Sequence, residues 1–563
     1  MSKQTVDAIT IEVMKNAFQS IAEEMGATLI RTALSPNIKD RMDCSTAIYT
    51  NEGKLIAQAE HIPLHLGLMP SVVEEVLKIY PPKDLKPGDA ILINDPYISG
   101  SHLPDVFLVS PVFYANELVA ITANIAHHVD VGGMTPGSMS VKATEIFQEG
   151  LRLPAVRISK EGSIDDEVFR LIKTNVRTDV EVEGDLYAQM AANNVGANRL
   201  SDLFDRYGVP YLQMCMEEIM NYSDRRIRSA ISQVPDGSYT FEDYLEGDGV
   251  NEAFIKISTQ VDVIEDSVVV DFTGSAPQAE GPVNSTIGVT KACVYYAIKS
   301  LVDPEVPPND GTYRSIDVKA PKGTIVNPGF PASVSNANLN TSQRITDTIL
   351  GALASVLPER SAAASSGTMN GLAIGGLTKN GNGENAYFSY VETYGGGQGA
   401  TDGLDGMDGV HTNMTNTLNT PVEVIETSYP LLVRAYGLVD GSGGSGEYRG
   451  GMGLMREIEI NCERATLTLM SERQKIRPWG LFGGKEGAPS SCFITYPNGE
   501  SKEVSSKVTL TLEKGTVISF RSAGGGGYGY ASKRDKDMIK KDVEIEKITA
   551  EEALNDYGIA VDI

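Results

Sequence analysis

The chain has 563 residues but only one tryptophan, five cysteines and six histidines, and it is short of positive charge. Its 48 Lys and Arg stand against 74 Asp and Glu, a formal charge of −26. Each shortage excludes something. A field this negative repels nucleic acid and anionic membrane surfaces, so polyanionic partners are not expected. No apolar run reaches the roughly 18 residues of a bilayer-spanning helix. The start, MSKQTVDAITIEVMKN, lacks the continuous apolar core of a signal peptide, so a cytoplasmic protein is expected. Cys44, Cys215, Cys293, Cys462 and Cys492 are scattered singly, which predicts free thiols and argues against a disulfide or a cysteine-based zinc site. A G-x-S-x-G serine elbow, H-E-x-x-H and C-x-x-C are also missing.

What is present is length and a mixed pattern. A prior of about 150 residues per domain suggests roughly three or four units. The expected fold is α+β, mixed, in four regions: an N-terminal α/β region with a metal site over 1–164, a helical hairpin over 165–232, a mixed α/β region over 233–428, and a β-rich, glycine-containing region with a terminal helix over 429–563. Ile11, Met14, Phe18, Ile21, Met25 and Leu29 recur at steps of three and four, the signature of an amphipathic helix. DCSTAIYTNEGKLIAQ reads as a hairpin turning at Gly53, and AILIND, DVFLVSPVFY and LVAITANIAHH read as further strands. Thr549 and Glu552 stand at capping-box spacing and predict the start of the terminal helix.

Three glycine-rich segments imitate nucleotide-binding motifs and fail on context. GSGGSG from Gly441 is followed by EYRGGMG where a helix should open, so it is read as a cluster of tight turns. After GGGGYG from Gly524 too little chain remains for a second βαβ strand, and FGGKEG has Glu486 where a phosphate loop needs Ser or Thr. ETYGGGQGATDG is read as structural, His411 as isolated and Arg449 as an ion-paired turn anchor.

Five of the six histidines fall between His61 and His128, interleaved with carboxylates. Imidazole and carboxylate are the donors that divalent zinc, manganese or iron prefer, and a catalytic site leaves one coordination position open. His102 and Asp105 offer two ligands from the bend in NDPYISGSHLPDV. His127 or His128 offers a third; alternation along a strand sends these two to opposite faces, so only one should be a ligand. Asp43 is a plausible fourth. Glu60, His61, Asp95, Asp130, Glu149 and whichever of the paired histidines is not a ligand, with His128 the expected one, could support the ligands, and His61 and His65 of HIPLHLG could instead line a substrate cavity or order the neighbouring hairpin. A single histidine is more simply read as satisfying a buried backbone group; the clustering favours a metal.

The segments MDCSTAIY, AEHIPLHLGLMP, NDPYISGSHLPDV, AHHVDVGGMTPGSM, EGLRLP, GDLYAQMAANN, DFTGSAPQ, TPVEVIE, DGSGGSGEYRGGMG and GGGGYG resemble, in this order and over nearly the whole chain, the hydantoinase B family. That family is similar to part of ATP-dependent 5-oxoprolinase and includes N-methylhydantoinase, caprolactamase and acetone or acetophenone carboxylase subunits. The resemblance implies a hydantoinase A type ATPase subunit as partner, holding ATP-Mg, and a metal bound by Asp43, His102, Asp105 and His127. The implied activity is ATP-dependent hydrolysis of a cyclic amide (hydantoin, oxoproline or lactam), with His102, Asp105 and His127 catalytic. A ketone carboxylase subunit and a scaffold without chemistry are the alternatives.

Overall fold

The structure is a computed structural model and describes residues 6–59, 61–379 and 382–561. Its fold is mixed α+β, and its largest sheet places the histidines. That sheet has seven antiparallel strands: β1 (Cys44–Thr50), β2 (Leu55–Gln58), β3 (Ala90–Ile93), β4 (Asp105–Tyr114), β5 (Glu117–His127), β6 (Val156–Lys160) and β7 (Ser163–Ile164). Their spatial order is β2-β1-β5-β4-β3-β6-β7. The expected β1–β2 hairpin turns at Gly53, whose φ of 84° is one that glycine adopts without strain.

Both faces of this sheet are covered, and strand alternation decides what each face touches. Cys44, Ile48, Ala120 and Ala126 point to one side, against the N-terminal helix Ala8–Thr32 and the helices Asp179–Tyr207 and Val209–Ile231. The N-terminal helix buries Met14, Phe18, Ile21, Met25 and Leu29, the stripe legible in its sequence. Ala47, Tyr49, Phe107, Val109, Ala123 and Ile125 point to the other side and join a core shared with the helices Pro63–Ile79, Ile287–Val302 and Ser342–Leu353. Each fully buried aliphatic or aromatic side chain there contributes about 1.5–3 kcal/mol. The helical hairpin turns at Gly208 and Pro210 and is preceded by a further helix, Asp166–Asn175.

A second sheet, Gly237–Glu246, Phe254–Ile264, Ser267–Asp271 and Ile316–Lys319, and two C-terminal sheets complete the chain. Buried ion pairs join them: Arg344 meets Asp243 at 3.0 Å, Arg473 meets Asp347 at 2.8 Å, and Lys507 pairs with Glu472. Burial pushes Asp347 up to about 6 despite Arg473 and Arg344 beside it. All five cysteines are buried and unpaired. Among the described residues no helix is long and apolar enough to cross a membrane.

The segment from Gly441 turns as expected, with φ 66° at Gly441, and together with GGGGYG it builds a layer of backbone packed on backbone. Gly525, Gly526 and Gly527 donate to Gly451, Ala364 and Lys485, three different segments, at 2.8–2.9 Å. Their own carbonyls accept from Gly444, Ala400 and Leu481 at 2.8–3.0 Å. A Cβ on Gly397, Gly450, Gly524 or Gly525 would overlap a neighbouring carbonyl oxygen. Glycine is required here because segments pack closer than any side chain allows. Arg449 anchors this layer, donating 2.6 Å to the Gly450 carbonyl beside Asp408. The Thr549–Glu552 capping box opens the helix Ala550–Tyr557.

Candidate metal centre

The sheet brings the predicted ligands to one edge. Asp105 begins β4, His127 ends β5, and the two are paired across the ladder. Asp43 immediately precedes β1, and its carbonyl accepts from the His127 backbone N–H at 3.0 Å. Counting by twos from Ile125, Phe107 and Ala47 puts His127, Asp105 and Asp43 on the same face. His102 reaches this face from the bend before β4. That bend follows the short helix Pro96–Ser99, capped by Gly100 at φ 83°, and Gly100 lies against Gly288 of the helix Ile287–Val302.

Nitrogen and oxygen atoms of His102, Asp105 and His127 lie within 4.8 Å of one another, and all three residues are buried. His102 Nδ1 donates to the Ser335 carbonyl at 2.9 Å, so Nε2, 3.5 Å from Asp105 Oδ1, is the nitrogen that can give a lone pair to an ion once it sheds its proton. Asn37 Nδ2 donates to the His127 carbonyl at 2.7 Å and lies 2.9 Å from its Nδ1. The His102 and His127 rings meet edge to face at 5.0 Å. Asp105 Oδ2 accepts from Ser101 and, at 3.0 Å, from Asn338 Nδ2. Asp105 Oδ1 has no hydrogen-bond partner although it is buried. Its nearest polar neighbours are His102 Nε2 at 3.5 Å and His65 Nε2 at 3.8 Å, and a buried ionised acceptor is costly unless a cation, a protonated imidazole or a metal ion, meets it.

The electrostatics separate the two imidazoles. Burial drives His127 down to about 4, against the pull of Asp43 and Asp105. Burial also acts to depress His102, but the adjacent Asp105 carboxylate outweighs it and holds His102 above its ordinary value. Asp105 stays well below the usual carboxylate range, because His102 and His65 outweigh its burial. One charged oxygen and two imidazoles, one of them held neutral, form a donor set for zinc, manganese or iron. The residues present fit such an ion.

The remaining predicted residues divide. His65 belongs to the site: its Nε2 is 3.8 Å from Asp105 Oδ1 and its Nδ1 is 3.2 Å from Ser45 Oγ. Asp43 lines the same cavity, 4.0 Å from Arg41, outside the close group of three. Glu149 supports the site at one remove. Its Oε1 accepts from the N–H groups of Val334 and Ser335 at 2.8 Å and fixes the carbonyl that holds His102. Burial raises its pKa. Four of the supporting candidates lie elsewhere. His128 faces the helix layer, 3.0 Å from Gln189 Oε1. His61 precedes the helix Pro63–Ile79 and lines a separate cavity with Tyr295 and Tyr313. Asp95 caps Pro96–Ser99 and pairs with Arg152 at 3.4 Å. Asp130 ties its own loop to Arg177 at 3.0 Å and to the Gly132 and Gly137 N–H groups. His61, Asp95 and Asp130 lie away from the three ligands because nearness in sequence does not carry across a turn, and His128 because it faces opposite to His127, as strand alternation requires. Glu60 lies outside the described residues.

Sequence reasoning missed Asn37, Arg41, Ser101, Asn338 and Glu392. Arg41 links the site to the C-terminal half, donating to the Val391 carbonyl at 3.1 Å and Thr393 Oγ1 at 2.7 Å, with Glu392 at 3.7 Å. Its position two residues before Asp43 was the available signal. His411 is half-buried close by, 3.4 Å from Thr415 Oγ1. The cavity over the three ligands combines apolar walls of Ile62, Leu64, Met139, Met369 and Val391 with polar groups of Arg41, Asp43, Asn338, Thr393, Thr415 and Thr417.

The fold has known counterparts. The hydantoinase B/oxoprolinase family matches residues 7–531, and the chain belongs to that family. It is 41% identical to an uncharacterized protein of Methanocaldococcus jannaschii, over 99% of this chain and 96% of that one. The caprolactamase subunit beta of Pseudomonas jessenii is 32% identical, over 99% of this chain and 97% of that one. The crystal structure of ATP-dependent caprolactamase from that organism matches at TM-score 0.92 and 31% identity, covering 99% of this chain and 97% of the other. A nucleotide-free acetone carboxylase structure matches at TM-score 0.91, covering 99% of this chain and 81% of the other; at 18% identity it shows the fold alone.

Proposed function

We propose that this chain is the metal-bearing subunit of an ATP-dependent cyclic amide hydrolase and works with a hydantoinase A type ATPase subunit that binds ATP-Mg. The observation that carries the reading is Asp105 Oδ1, a buried carboxylate oxygen without a hydrogen-bond donor, set between the Nε2 atoms of His102 and His65 and beside His127. Family membership and the caprolactamase likeness support the substrate class.

An amide carbonyl resists water because resonance makes it a poor electrophile, and phosphorylation of its oxygen by the partner removes that protection. Water adds to the activated carbon, the C–N bond breaks with a proton going to nitrogen, and the resulting acyl phosphate takes a second water to give the amino acid and phosphate. A divalent ion held by His102, Asp105 and His127, with Asp43 alongside, supplies a lowered pKa for water. His65 is placed to accept a proton from the attacking water, its other nitrogen steadied by Ser45. The apolar wall excludes bulk water from the activated substrate.

The test is to copurify the chain with its ATPase partner, measure bound metals by mass spectrometry, and assay ATP-dependent turnover of cyclic amides and ketones with and without bicarbonate. Metal near one per chain and amide opening without bicarbonate is the expected result. Turnover of a ketone that depends strictly on bicarbonate would replace this reading with the carboxylase, and a complex active without metal would remove the metal from it.

A further inference from the structure

The segment Ala337–Thr341 is a π-helical turn that runs directly into the helix Ser342–Leu353, and every residue in it is buried. π turns are rare and gather at functional sites, because the extra residue turns side chains away from the regular helix pattern. Asn338 sits in this turn and lines the cavity over the metal ligands. It is 4% exposed. Its amide is oriented by chemistry: the partner 3.0 Å away is Asp105 Oδ2, a carboxylate that only accepts, so the NH2 end points there. The carbonyl end, Oδ1, is buried and has no hydrogen-bond partner. The cavity therefore holds two unmatched acceptors, Asp105 Oδ1 for a cation and Asn338 Oδ1 for a neutral donor, with Ile62, Leu64, Met139, Met369 and Val391 among the residues that line it.

We infer that Asn338 is a specificity-determining residue that reads the N–H of a cyclic amide through Oδ1 while holding Asp105 through Nδ2. The inference rests on the proposed cyclic amide chemistry and narrows it. A cis-amide in a small ring carries an N–H adjacent to the carbonyl carbon that reacts, so one neutral acceptor beside the metal ligands can recognise nitrogen while the carbonyl faces the ligands. Asn is suited to this where Asp is not. A second carboxylate beside Asp105 would repel it, and a neutral amide oxygen accepts a hydrogen bond without taking the proton. A ketone of the same ring size puts CH2 where the N–H would be and leaves Oδ1 unmatched. A site built to bond a polar group discriminates against analogues lacking it for this reason.

The experiment uses the metal-loaded complex with its partner, without nucleotide, titrated calorimetrically with 5-oxoproline, hydantoin, caprolactam, N-methylcaprolactam and cycloheptanone. Caprolactam and cycloheptanone form the matched pair, differing by NH against CH2. Wild-type complex should bind at least one N–H amide, and should prefer caprolactam to cycloheptanone and to N-methylcaprolactam by about 10- to 100-fold. In Asn338→Leu, similar in shape and without polar atoms, that preference should collapse to within about threefold. Asn338→Ala gives the same reading should the leucine variant misfold. Metal content is measured on every sample. Loss of metal in the wild-type complex defeats the proposed function itself; normal metal with no preference in wild type, no binding of any N–H amide, or an unchanged preference in both variants overturns the role of Asn338 alone.

Discussion

The bend at His102 and the glycine layer around Gly525 are both dense in unusual sequence, and they depend on opposite properties of it. At the bend the chemistry lies in side chains: His102, Asp105, His127 and His65 converge on one unmatched oxygen, and the surrounding backbone serves to aim them. In the glycine layer the side chain has been removed so that backbones touch, and the hydrogen bonds of Gly525, Gly526 and Gly527 cited there are all between main-chain groups. Substitution should therefore separate function from fold at the first and abolish both together at the second.

The largest effect expected is from Gly525→Ala. A Cβ there overlaps the Gln398 carbonyl, which is backbone and cannot rotate away, so the loss should reach about 4–5 kcal/mol or more and leave little folded chain. Circular dichroism and soluble yield check it; a folded, active variant would break the contrast. His102→Ala should give the converse, with bound metal at background and turnover down by more than about 100-fold, while stability falls by only about 1–3 kcal/mol from the freed Ser335 carbonyl and the small cavity. Mass spectrometry of bound metal beside thermal unfolding separates the two.

A third test uses pH on the chelated chain. His127 in the fold sits near 4, below the ordinary 6.5 of an unfolded histidine, so the unfolded chain binds more protons between these values. Its contribution is fully present above about 6.5 and is lost as pH falls through about 4, on the order of 3 kcal/mol in all. Denaturant melts from pH 7 to 4 on the chelated wild type and on His127→Asn should differ by that slope; parallel curves would remove His127 from the account. His128→Ala, facing Gln189, should cost about 1–2 kcal/mol with metal content unchanged, which reverses the His102 pattern one residue from a ligand. The smallest effect should come from Gly437→Ala. Nothing lies within 4 Å of its Cβ position, so melting should shift by no more than about 0.5 kcal/mol and mark the glycine layer as special.

Much of this was legible in the sequence for identifiable reasons. Strand alternation separated His127 from His128 in principle, and the same parity carries Asp105 and Asp43 to the His127 face. The N-terminal helix and the terminal capping box rest on local spacing, which is why both stand as read. The supporting residues were not legible, because their contacts are distant in the chain: Asn338 meets Asp105, and Ser335 meets His102, across 233 residues each. No local pattern announces such a pair. His61 and His65 differ for a local reason: Pro63 begins a helix between them, so four residues of separation become two cavities. The glycine motifs misled in form, since the letters that let a phosphate approach a backbone also let a second backbone approach it.

The site draws on Asn37 and Asp43 near one end of the chain and on Thr415 and Thr417 far along it. A nascent chain on the ribosome cannot complete it until residue 417 has emerged and the C-terminal half has begun to pack against the first sheet. Long-range closure of this kind is slow relative to local structure. Under the proposed function, metal uptake would then be a checkpoint for assembly, since fragments and early intermediates lack the full set of neighbours. An ion present at a thousand times its Kd would add about 4 kcal/mol to the finished state and nothing to those that precede it.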